Sequence, residues 1–319
     1  SQQVRFTVFK VSNATRLICT NDKDAPQVYT GTGTFAALGG SPPIAKCITT
    51  AFQRVILGNV TVAGTRRSSS LWISGFQDST VWSSTNEVSL VDTGDSIIEV
   101  KALNDQSFAI YKDNSQWVGI GSASLFPFVF ELRDQQPGPV SPASVVQAEG
   151  SHYYIGNDGN VYVFDGTRCK AIGNNVKNSI MADLRWTVGE RTHGCYDSRN
   201  REIWWFWPTV TNTAGTAGIV YKLKSEGAPE AFSTILAFPF ILSASANWLE
   251  LGGFSWNSFG AFDEWDSIDA NYPTWESFGG SGRQGILAGR DNGQVYKAGN
   301  TGKDDGNTID ALWHSPFVN

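Results

Sequence analysis

The sequence is poor in charge and in long apolar runs. Charged side chains make up 17% of its 319 residues, against about 25% in a typical soluble domain. Its apolar residues fall in short alternating groups, none near the roughly 18 consecutive apolar residues of a membrane-spanning helix. The start, SQQVRFTVFK, lacks the apolar core of a signal peptide. We therefore expect a chain with no membrane span.

Cysteine is also scarce, which limits the metal and disulfide chemistry available to the chain. Four cysteines occur, Cys19, Cys47, Cys169 and Cys195, with no CxxC pair and no zinc-ligand spacing. Each lies near apolar residues, which predicts buried free thiols and a reducing compartment during assembly. A disulfide between Cys169 and Cys195 remains the alternative. We expect no metal site.

No basic surface is visible in the sequence. The formal net charge is −6, and the densest basic cluster is the pair Arg66-Arg67, which we interpret as a solvated surface pair. A protein that grips nucleic acid through its phosphates carries a basic face. The composition therefore argues against that class of function.

Signatures of catalysis are missing as well. The three histidines, His152, His193 and His314, show no HExxH or related spacing, and no GxSxG, P-loop or GxGxxG motif occurs. We interpret the histidines as structural or surface residues. The sequence predicts no catalytic residue and no cofactor, and hence a protein that is not an enzyme.

What the sequence does contain is glycine and aromatic residues arranged in hairpins. There are 33 glycines, and aromatics reach 13%, with 12 tryptophans. Alternating apolar residues flank turns of the Asp-Asn-Gly type, which tolerate the positive φ of tight hairpins. Four such hairpins are Ser107–Gly121, Ser151–Gly173, Gly194–Pro208 and Gly285–Gly299, with turns near Asn114, Asp158, Arg199 and Asn292.

The spacing of these turns predicts the fold class. A period of about 40–45 residues, with a few short strands in each unit, is typical of β-propeller blades. We predict an all-β propeller of about six or seven blades, in one domain over residues 1–319, with each hairpin in the middle of one blade. Further predicted units are Arg16–Gly40, Arg54–Phe76 (strand, insertion, strand) and Gly218–Ile235, the last filling the gap before Gly285. Helix is limited to one short segment within Asn178–Trp186.

An aromatic and acidic loop, Phe254–Gly280, is predicted as an insertion in the propeller. Its carboxylates are Asp263, Glu264, Asp266 and Asp269, interspersed with Trp265 and Trp275. Sugars stack on aromatic faces, and glycoside hydrolysis needs paired acids. The loop therefore supports an alternative function, that of a carbohydrate-binding or glycoside-acting propeller. The competing interpretation is structural: a surface loop whose tryptophans pack against neighbouring parts of the chain.

The run WWFW, residues 204–207, is the most aromatic stretch. Its side chains split between two faces of a strand. Trp204, Trp205, Trp207, Trp265 and Trp275 are candidate subunit-interface residues, because tryptophan is enriched at interfaces. For the WWFW run, burial within the propeller is the default interpretation and the subunit interface is the alternative.

The order of motifs along the chain resembles the propeller domain of podovirus-type phage tail nozzle proteins, also called tail hub or packaged-DNA stabilisation proteins. The segments that carry the resemblance are SLWISGFQDSTVWS (Ser70–Ser83), DTGDSIIEVKALNDQSFAIYKDNSQWVG (Asp92–Gly119), GPVSPASVVQAEGSHYYIGNDGNVYVFDG (Gly138–Gly166) and AIGNNVKNSI (Ala171–Ile180). The span Asp92–Ile180 matches best.

The resemblance implies a structural virion protein of the phage tail, assembled in the host cytoplasm. Such proteins form a ring, here expected to be a hexamer, that contacts portal-adaptor proteins and tail fibres or a needle. DNA passes through the lumen without sequence-specific binding, and the ring helps to retain and eject the genome. An acidic protein suits that conduit, because it repels phosphate. The family has no catalytic residues to transfer.

Overall fold

The chain forms two compact units, residues 1–241 and 242–319. The computed structural model describes residues 4–11, 14–122, 126–211, 217–224 and 230–235, and strands at 242–248, 283–289, 295–298, 303–304 and 307–308. The single domain predicted over residues 1–319 stays a prediction.

The first unit contains five four-stranded antiparallel sheets, each built from four strands that follow one another in the chain. The first sheet is β1 (Arg5–Val11), β2 (Ala14–Thr20), β3 (Gln27–Tyr29) and β4 (Ala36–Ala37); the second is β5 (Ile44–Ala51), β6 (Arg54–Val62), β7 (Thr65–Gly75) and β8 (Asp78–Ser89). The third is β9 (Ile97–Asn104), β10 (Ser107–Lys112), β11 (Gln116–Gly121) and β12 (Phe128–Asp134); the fourth is β13 (Val146–Ala148), β14 (Ser151–Ile155), β15 (Val161–Phe164) and β16 (Cys169–Ala171). The fifth is β17 (His193–Asp197), β18 (Glu202–Trp207), β19 (Ala217–Lys222) and β20 (Ala231–Ile235).

Successive sheets pack face to face, and one apolar cluster fills each of the four interfaces between them. The strand period of two explains how one strand serves two interfaces. In β6, Val55 and Leu57 join the cluster shared with the first sheet, whereas Ile56 between them joins the cluster shared with the third. A continuous apolar run such as VILGNV is therefore the signature of a sheet that is covered on both faces.

The first strands of successive sheets also contact one another, β1 with β5, β5 with β9 and β13 with β17. They therefore form an inner edge from which the sheets radiate, which is the arrangement of β-propeller blades. The predicted fold class, an all-β propeller with little helix, is confirmed. The number of six or seven blades stays a prediction.

Each predicted hairpin was expected to join the two middle strands of one blade. Two hairpins do so, whereas the predictions for Gly194–Pro208 and Gly218–Ile235 are wrong. The turns at Asn114 and Asp158 join the middle strands of the third and fourth sheets. The hairpin Gly194–Pro208 is instead the first in its sheet, because β19 and β20 follow it. Gly218–Ile235 is thus the second half of that sheet and not a missing unit. Turn chemistry identifies a hairpin but does not say which hairpin of a blade it is.

The segment Arg54–Phe76 contains no insertion, contrary to the prediction. Strands β6 and β7 form one long hairpin around a two-residue turn at Ala63 and Gly64, whose φ angles are 48° and 79°. Positive φ at both turn residues matches the right-handed twist of the paired strands. The polar residues that suggested an insertion continue the strand pair beyond the buried part of the sheet.

The second unit contains a three-stranded antiparallel sheet of β21 (Leu242–Trp248), β22 (Arg283–Gly289) and β23 (Val295–Ala298). The predicted hairpin Gly285–Gly299 corresponds to β22 and β23. A further pair, β24 (Lys303–Asp304) and β25 (Asn307–Thr308), follows.

The predicted short helix is present as α1 (Lys177–Asp183), between the fourth and fifth sheets. Ile180 and the following Leu184 are fully buried in the cluster that joins these sheets, as their i, i+4 spacing indicates. Short 3₁₀ helices occur at Pro142–Ser144 and Trp186–Arg191. Within the described residues, every helix is too short or too polar to span a bilayer.

The Pro-rich connector between the third and fourth sheets passes directly over the turn that follows β10. A Cβ atom on Gly138 would lie 1.8 Å from the Lys112 carbonyl oxygen, and the Gly138 N–H donates to the Asp113 carbonyl at 2.8 Å. Only a residue without a side chain fits this approach.

We expect Gly138→Ala to lower the free energy of unfolding by about 1–3 kcal/mol, because the added methyl group must displace backbone. Urea unfolding measures the loss. Gln135→Ala, at an exposed position of the same connector, is the control and should change stability little. Equal stability of the two variants would contradict the close packing of the connector.

Candidate functional site

A buried ion pair fixes the connection between the second and third sheets. The Lys112 ammonium, fully buried at the end of β10, lies 2.7 Å from an Asp95 carboxylate oxygen. It also donates to the Leu90 carbonyl and to the Thr93 hydroxyl, both at 2.7 Å. We call Lys112, Asp95, Thr93 and Ser115 the Lys112 cluster. All three N–H donors of the ammonium have acceptors here.

Asp95 receives the rest of the hydrogen bonds in this cluster. The Ser115 hydroxyl donates to it at 3.0 Å and the Asn114 N–H at 2.9 Å. Burial would raise the pKa of Asp95, but the hydrogen bonds from Lys112, Thr93, Asn114 and Ser115 lower it below its usual value. The carboxylate therefore stays charged and holds the turn after β10 against the start of β9.

A second buried network joins the third and fourth sheets through His152. The Tyr111 hydroxyl donates to His152 Nδ1 at 2.8 Å, and Nε2 donates to the Ala102 carbonyl at 2.9 Å. Because the low pKa of the buried ring keeps it neutral and the carbonyl can only accept, Nε2 carries the proton and Nδ1 is the acceptor. Burial, with Lys101 nearby, lowers the pKa of His152 to about 3.

The histidines bear out the structural interpretation where the structure describes them. His193 is buried at the start of β17, its ring stacked on Phe206, and burial lowers its pKa. His314 lies outside the described residues. His152 and His193 thus fill buried positions within the sheets.

A third group of charges lies at the inner edge and was not predicted. Arg5 on β1 approaches Glu99 on β9, with 4.0 Å between Arg5 Nε and Glu99 Oε2. These strands belong to the first and third sheets, which the second sheet separates, so the contact is possible only at the inner edge where the first strands converge. Lys101 donates to the Val145 carbonyl at 2.8 Å. We call Arg5, Lys46, Glu99 and Lys101 the inner-edge cluster.

The carboxylate of this cluster is buried and its three cations are half-buried. Burial raises the pKa of Glu99, and Arg5, Lys101 and Lys46 oppose that shift. Burial also lowers the pKa of Lys101, which Glu99 opposes. The signal for the cluster is present in the sequence: the strand IIEVKALN carries two charges among apolar residues, where a strand covered on both faces should carry none.

The candidate interface tryptophans fall into three groups. Trp205 and Trp207 are buried at 0% and 3% exposure, inside the cluster that joins the fourth and fifth sheets. Their indole N–H groups donate to the Ser144 carbonyl and to Asp183 Oδ2. These two side chains therefore pack within the first unit and not at its surface. Trp204 points to the opposite face and is half-buried, and its interface role stays a prediction.

The remaining candidates, Trp265 and Trp275, lie outside the described residues. So do Asp263, Glu264, Asp266 and Asp269, and with them the whole insertion predicted at 254–280. The carbohydrate-binding or glycoside-acting alternative depends on that loop and stays a prediction.

The other polar groups singled out in the sequence have structural surroundings. All four cysteines are free thiols, three of them buried and Cys19 half-buried, so the alternative disulfide between Cys169 and Cys195 is absent. Burial raises the pKa of Cys169 to about 12. Within the described part of the chain, no three histidine, cysteine or carboxylate side chains gather as metal ligands would.

Arg66 and Arg67 are exposed, as predicted, and each pairs with a carboxylate, Asp22 and Glu87 respectively. Because a nearby carboxylate neutralises each of the two charges, Arg66 and Arg67 form no basic patch.

Comparison with known proteins gives structural similarity without sequence similarity. No family model matches the chain, and no curated protein does. A structure of BBS1N in complex with ARL6DN is 10% identical over 89% of this chain and 73% of its own, with a TM-score of 0.48. The Cps50 (Swd1) β-propeller domain of Myceliophteria thermophila is 10% identical over 74% of this chain and 72% of its own, with a TM-score of 0.41. Hsv2 of Kluyvelomyces marxianus is 9% identical over 70% and 62%, with a TM-score of 0.40.

Proposed function

We propose that the chain is a structural subunit of a short phage tail, a tail nozzle or hub protein that assembles as a ring around the path of the DNA. The observation that carries the proposal is that buried hydrogen bonds link each sheet of the first unit to its neighbour or to the connector beside it. Three of them join successive sheets: Thr20 Oγ1 to Ala45 O, Asn59 Nδ2 to Ile97 O and Tyr111 Oη to His152 Nδ1. A fourth joins Trp205 Nε1 of the fifth sheet to Ser144 O in the 3₁₀ helix that precedes the fourth sheet.

These bonds make the unit stiff. A buried hydrogen bond that is lost leaves an unsatisfied group at a cost of about 1–3 kcal/mol, so sliding one sheet on the next is strongly disfavoured. Buried ionisable groups in the unit, such as Lys112 and His152, hold sheets and connections together. A stiff block with loops on both faces suits a load-bearing subunit of a ring.

The charge distribution along the sequence supports a conduit for DNA. Residues 1–241 hold 20 Lys and Arg against 20 Asp and Glu, whereas residues 242–319 hold four against ten, which accounts for the net charge of −6. The acidic character is thus confined to the C-terminal part of the sequence. In the proposed ring we assign phosphate repulsion to this part.

We expect the purified 319-residue chain to form a hexamer, and its labelled form to lie on the tail axis of virions. Native mass spectrometry measures the first and electron microscopy of labelled particles the second. Trp204→Ser, at the half-buried face of the WWFW run, should weaken the hexamer, whereas Gln135→Ala should not. A stable monomer, or a label away from the tail axis, would contradict the proposed function.

A further inference from the structure

A row of aromatic side chains crosses the fifth sheet on the face that packs against the fourth. Four residues lie directly opposite one another on β17, β18, β19 and β20, and so share one face of the sheet: Tyr196, Ile203, Tyr221 and Phe232. Tyr153 on β14 of the fourth sheet contacts this row, with 5.9 Å between its ring centroid and that of Tyr221. Tyr153, Tyr196 and Phe232 are half-buried where they pack on the apolar cluster between the two sheets. These rings therefore form a partly exposed aromatic surface.

Two carboxylates and one guanidinium border these rings. Glu149, in the turn before β14, accepts from the Tyr196 hydroxyl at 3.1 Å and from Arg201 Nε and Nη2 at 2.6 and 2.7 Å. Glu230, immediately before β20, accepts from the Tyr221 hydroxyl at 2.6 Å. Each carboxylate is thus joined by a hydrogen bond to a tyrosine of the row. We call the following six residues the Tyr153 surface: Tyr153, Tyr196, Tyr221, Glu149, Arg201 and Glu230.

The Tyr153 surface has hydrogen-bonding groups that the fold does not use. The Tyr153 hydroxyl makes no hydrogen bond within the part of the chain that the structure describes. Burial raises the pKa of Tyr153, and the charges of Glu149 and Glu230 add to that shift, so the hydroxyl keeps its proton and can donate. Glu230 bonds to Tyr221 through Oε2, which leaves Oε1 as an acceptor, and the pairing of Arg201 with Glu149 leaves Nη1 as a donor.

A saccharide matches this combination of groups. One face of a sugar ring carries C–H groups that pack on an aromatic ring, and its hydroxyls both donate and accept hydrogen bonds. Sites for such ligands combine aromatic side chains with a few polar groups that fix the orientation. Two carboxylates against one guanidinium leave an excess of negative charge, which repels an anionic sugar.

We propose that the Tyr153 surface binds a neutral saccharide. The half-buried Tyr153 ring packs on the sugar, its hydroxyl donates to a sugar oxygen, and Glu230 Oε1 accepts from a sugar hydroxyl. The site consists of residues of the first unit and does not involve the loop predicted at 254–280. The inference goes beyond the proposed tail function and does not depend on ring formation.

The test is a glycan array of neutral and acidic oligosaccharides probed with the 319-residue chain, followed by isothermal titration calorimetry with the neutral glycan that gives the strongest signal. Tyr153→Phe keeps the ring and removes the hydroxyl, whereas Glu230→Gln keeps the shape and removes the charge. We expect each variant to bind that glycan about tenfold more weakly, the value of one hydrogen bond to the ligand. Tyr29→Phe, the same change at a half-buried tyrosine of β3 in the first sheet, is the matched control and should bind as the unmodified chain does.

Thermal unfolding shows whether the variants are folded, and Tyr153→Phe should keep its Tm because the hydroxyl has no partner to lose. The inference is wrong if no neutral glycan binds, if only acidic glycans bind, or if Tyr153→Phe and Glu230→Gln bind as tightly as Tyr29→Phe. Titration with choline tests the other ligand class that suits aromatic rings beside a carboxylate. Binding of choline without any glycan would identify a cation site and contradict the inference. Glycan binding that is lost in Trp265→Ala but kept in Tyr153→Phe would also contradict it, in favour of the loop 254–280.

Discussion

Replacing Lys112 with methionine is expected to lower the free energy of unfolding by about 3–5 kcal/mol, the cost of removing one partner of a buried ion pair. Methionine keeps much of the side-chain volume, so packing at the end of β10 changes little. What is lost is the positive charge beside Asp95 and the donors to Leu90 and Thr93. The half-buried Asp95 carboxylate then keeps its hydrogen bonds from Ser115 and Asn114 but loses its counter-charge, which accounts for most of the effect.

The matched control is Lys222→Met, the same change in a pair that is exposed. Lys222 lies 3.6 Å from Glu202, and its side chain is 49% exposed, against 0% for Lys112. Solvent screens such a pair, so its loss should cost less than about 1 kcal/mol. Urea unfolding gives the loss in the free energy of unfolding for each variant. Because the substitution is lysine to methionine in both, the difference between the two losses reports the difference between a buried and an exposed ion pair.

A double variant separates the loss of the ion pair from a general loss of packing. Adding Asp95→Asn to Lys112→Met removes the uncompensated charge, and we expect it to recover part of the stability that Lys112→Met loses. The coupling between the two positions should exceed about 1 kcal/mol, because they share one network. If the two losses simply add, or if Lys112→Met costs no more than Lys222→Met, the Lys112 cluster does not stabilise the fold as described.

The blade architecture could be predicted from the sequence because its causes are local. Alternation in SHYYI and VYVF places the side chains of β14 and β15 on two faces, and the Asn157-Asp158-Gly159 turn joins them. Repetition of that pattern at a regular spacing then indicates sheets that stack. The position of a hairpin within its blade could not be predicted in the same way. Gly194–Pro208 and Gly218–Ile235 show the same local pattern, although both belong to one sheet.

The polar clusters could not be predicted, because their partners are far apart in the chain. Tyr111 and His152 are 41 residues apart, and Arg5 and Glu99 belong to sheets that are not neighbours. Their charges in otherwise apolar strands were visible, yet a charge in a strand does not identify its partner. The WWFW run was more accessible to prediction: the period of two indicated burial within the propeller, and Trp205 and Trp207 are buried between sheets.

Acid is expected to weaken the packing of the third sheet on the fourth through His152. Burial lowers the pKa of His152 to about 3 in the folded chain, against about 6.5 in an unfolded one. Between these values the unfolded chain binds one more proton at this residue than the folded chain does. Its contribution to the free energy of unfolding is therefore fully present above about pH 6.5 and falls as the pH drops toward 3.

The size of the effect follows from the two pKa values. The loss is about 1.4 kcal/mol for each pH unit below 6.5, hence about 2 kcal/mol at pH 5 and about 3 kcal/mol at pH 4. Protonation would place a charge beside Lys101 and remove the acceptor for the Tyr111 hydroxyl. His193 adds to the loss, because burial lowers its pKa too, whereas the raised pKa of Glu99 acts in the opposite direction.

His152→Gln isolates the contribution of the one residue. Glutamine retains a donor for the Ala102 carbonyl and has no proton to gain in this range, so the variant should be less stable at pH 7 and less sensitive to acid. His193 and Glu99 are the same in both proteins, and their contributions cancel in the difference. Urea unfolding at intervals from pH 7 to pH 4 measures both slopes. Parallel slopes would mean that His152 takes up its proton as readily in the folded chain as in the unfolded one, which would contradict a buried, neutral imidazole between the two sheets.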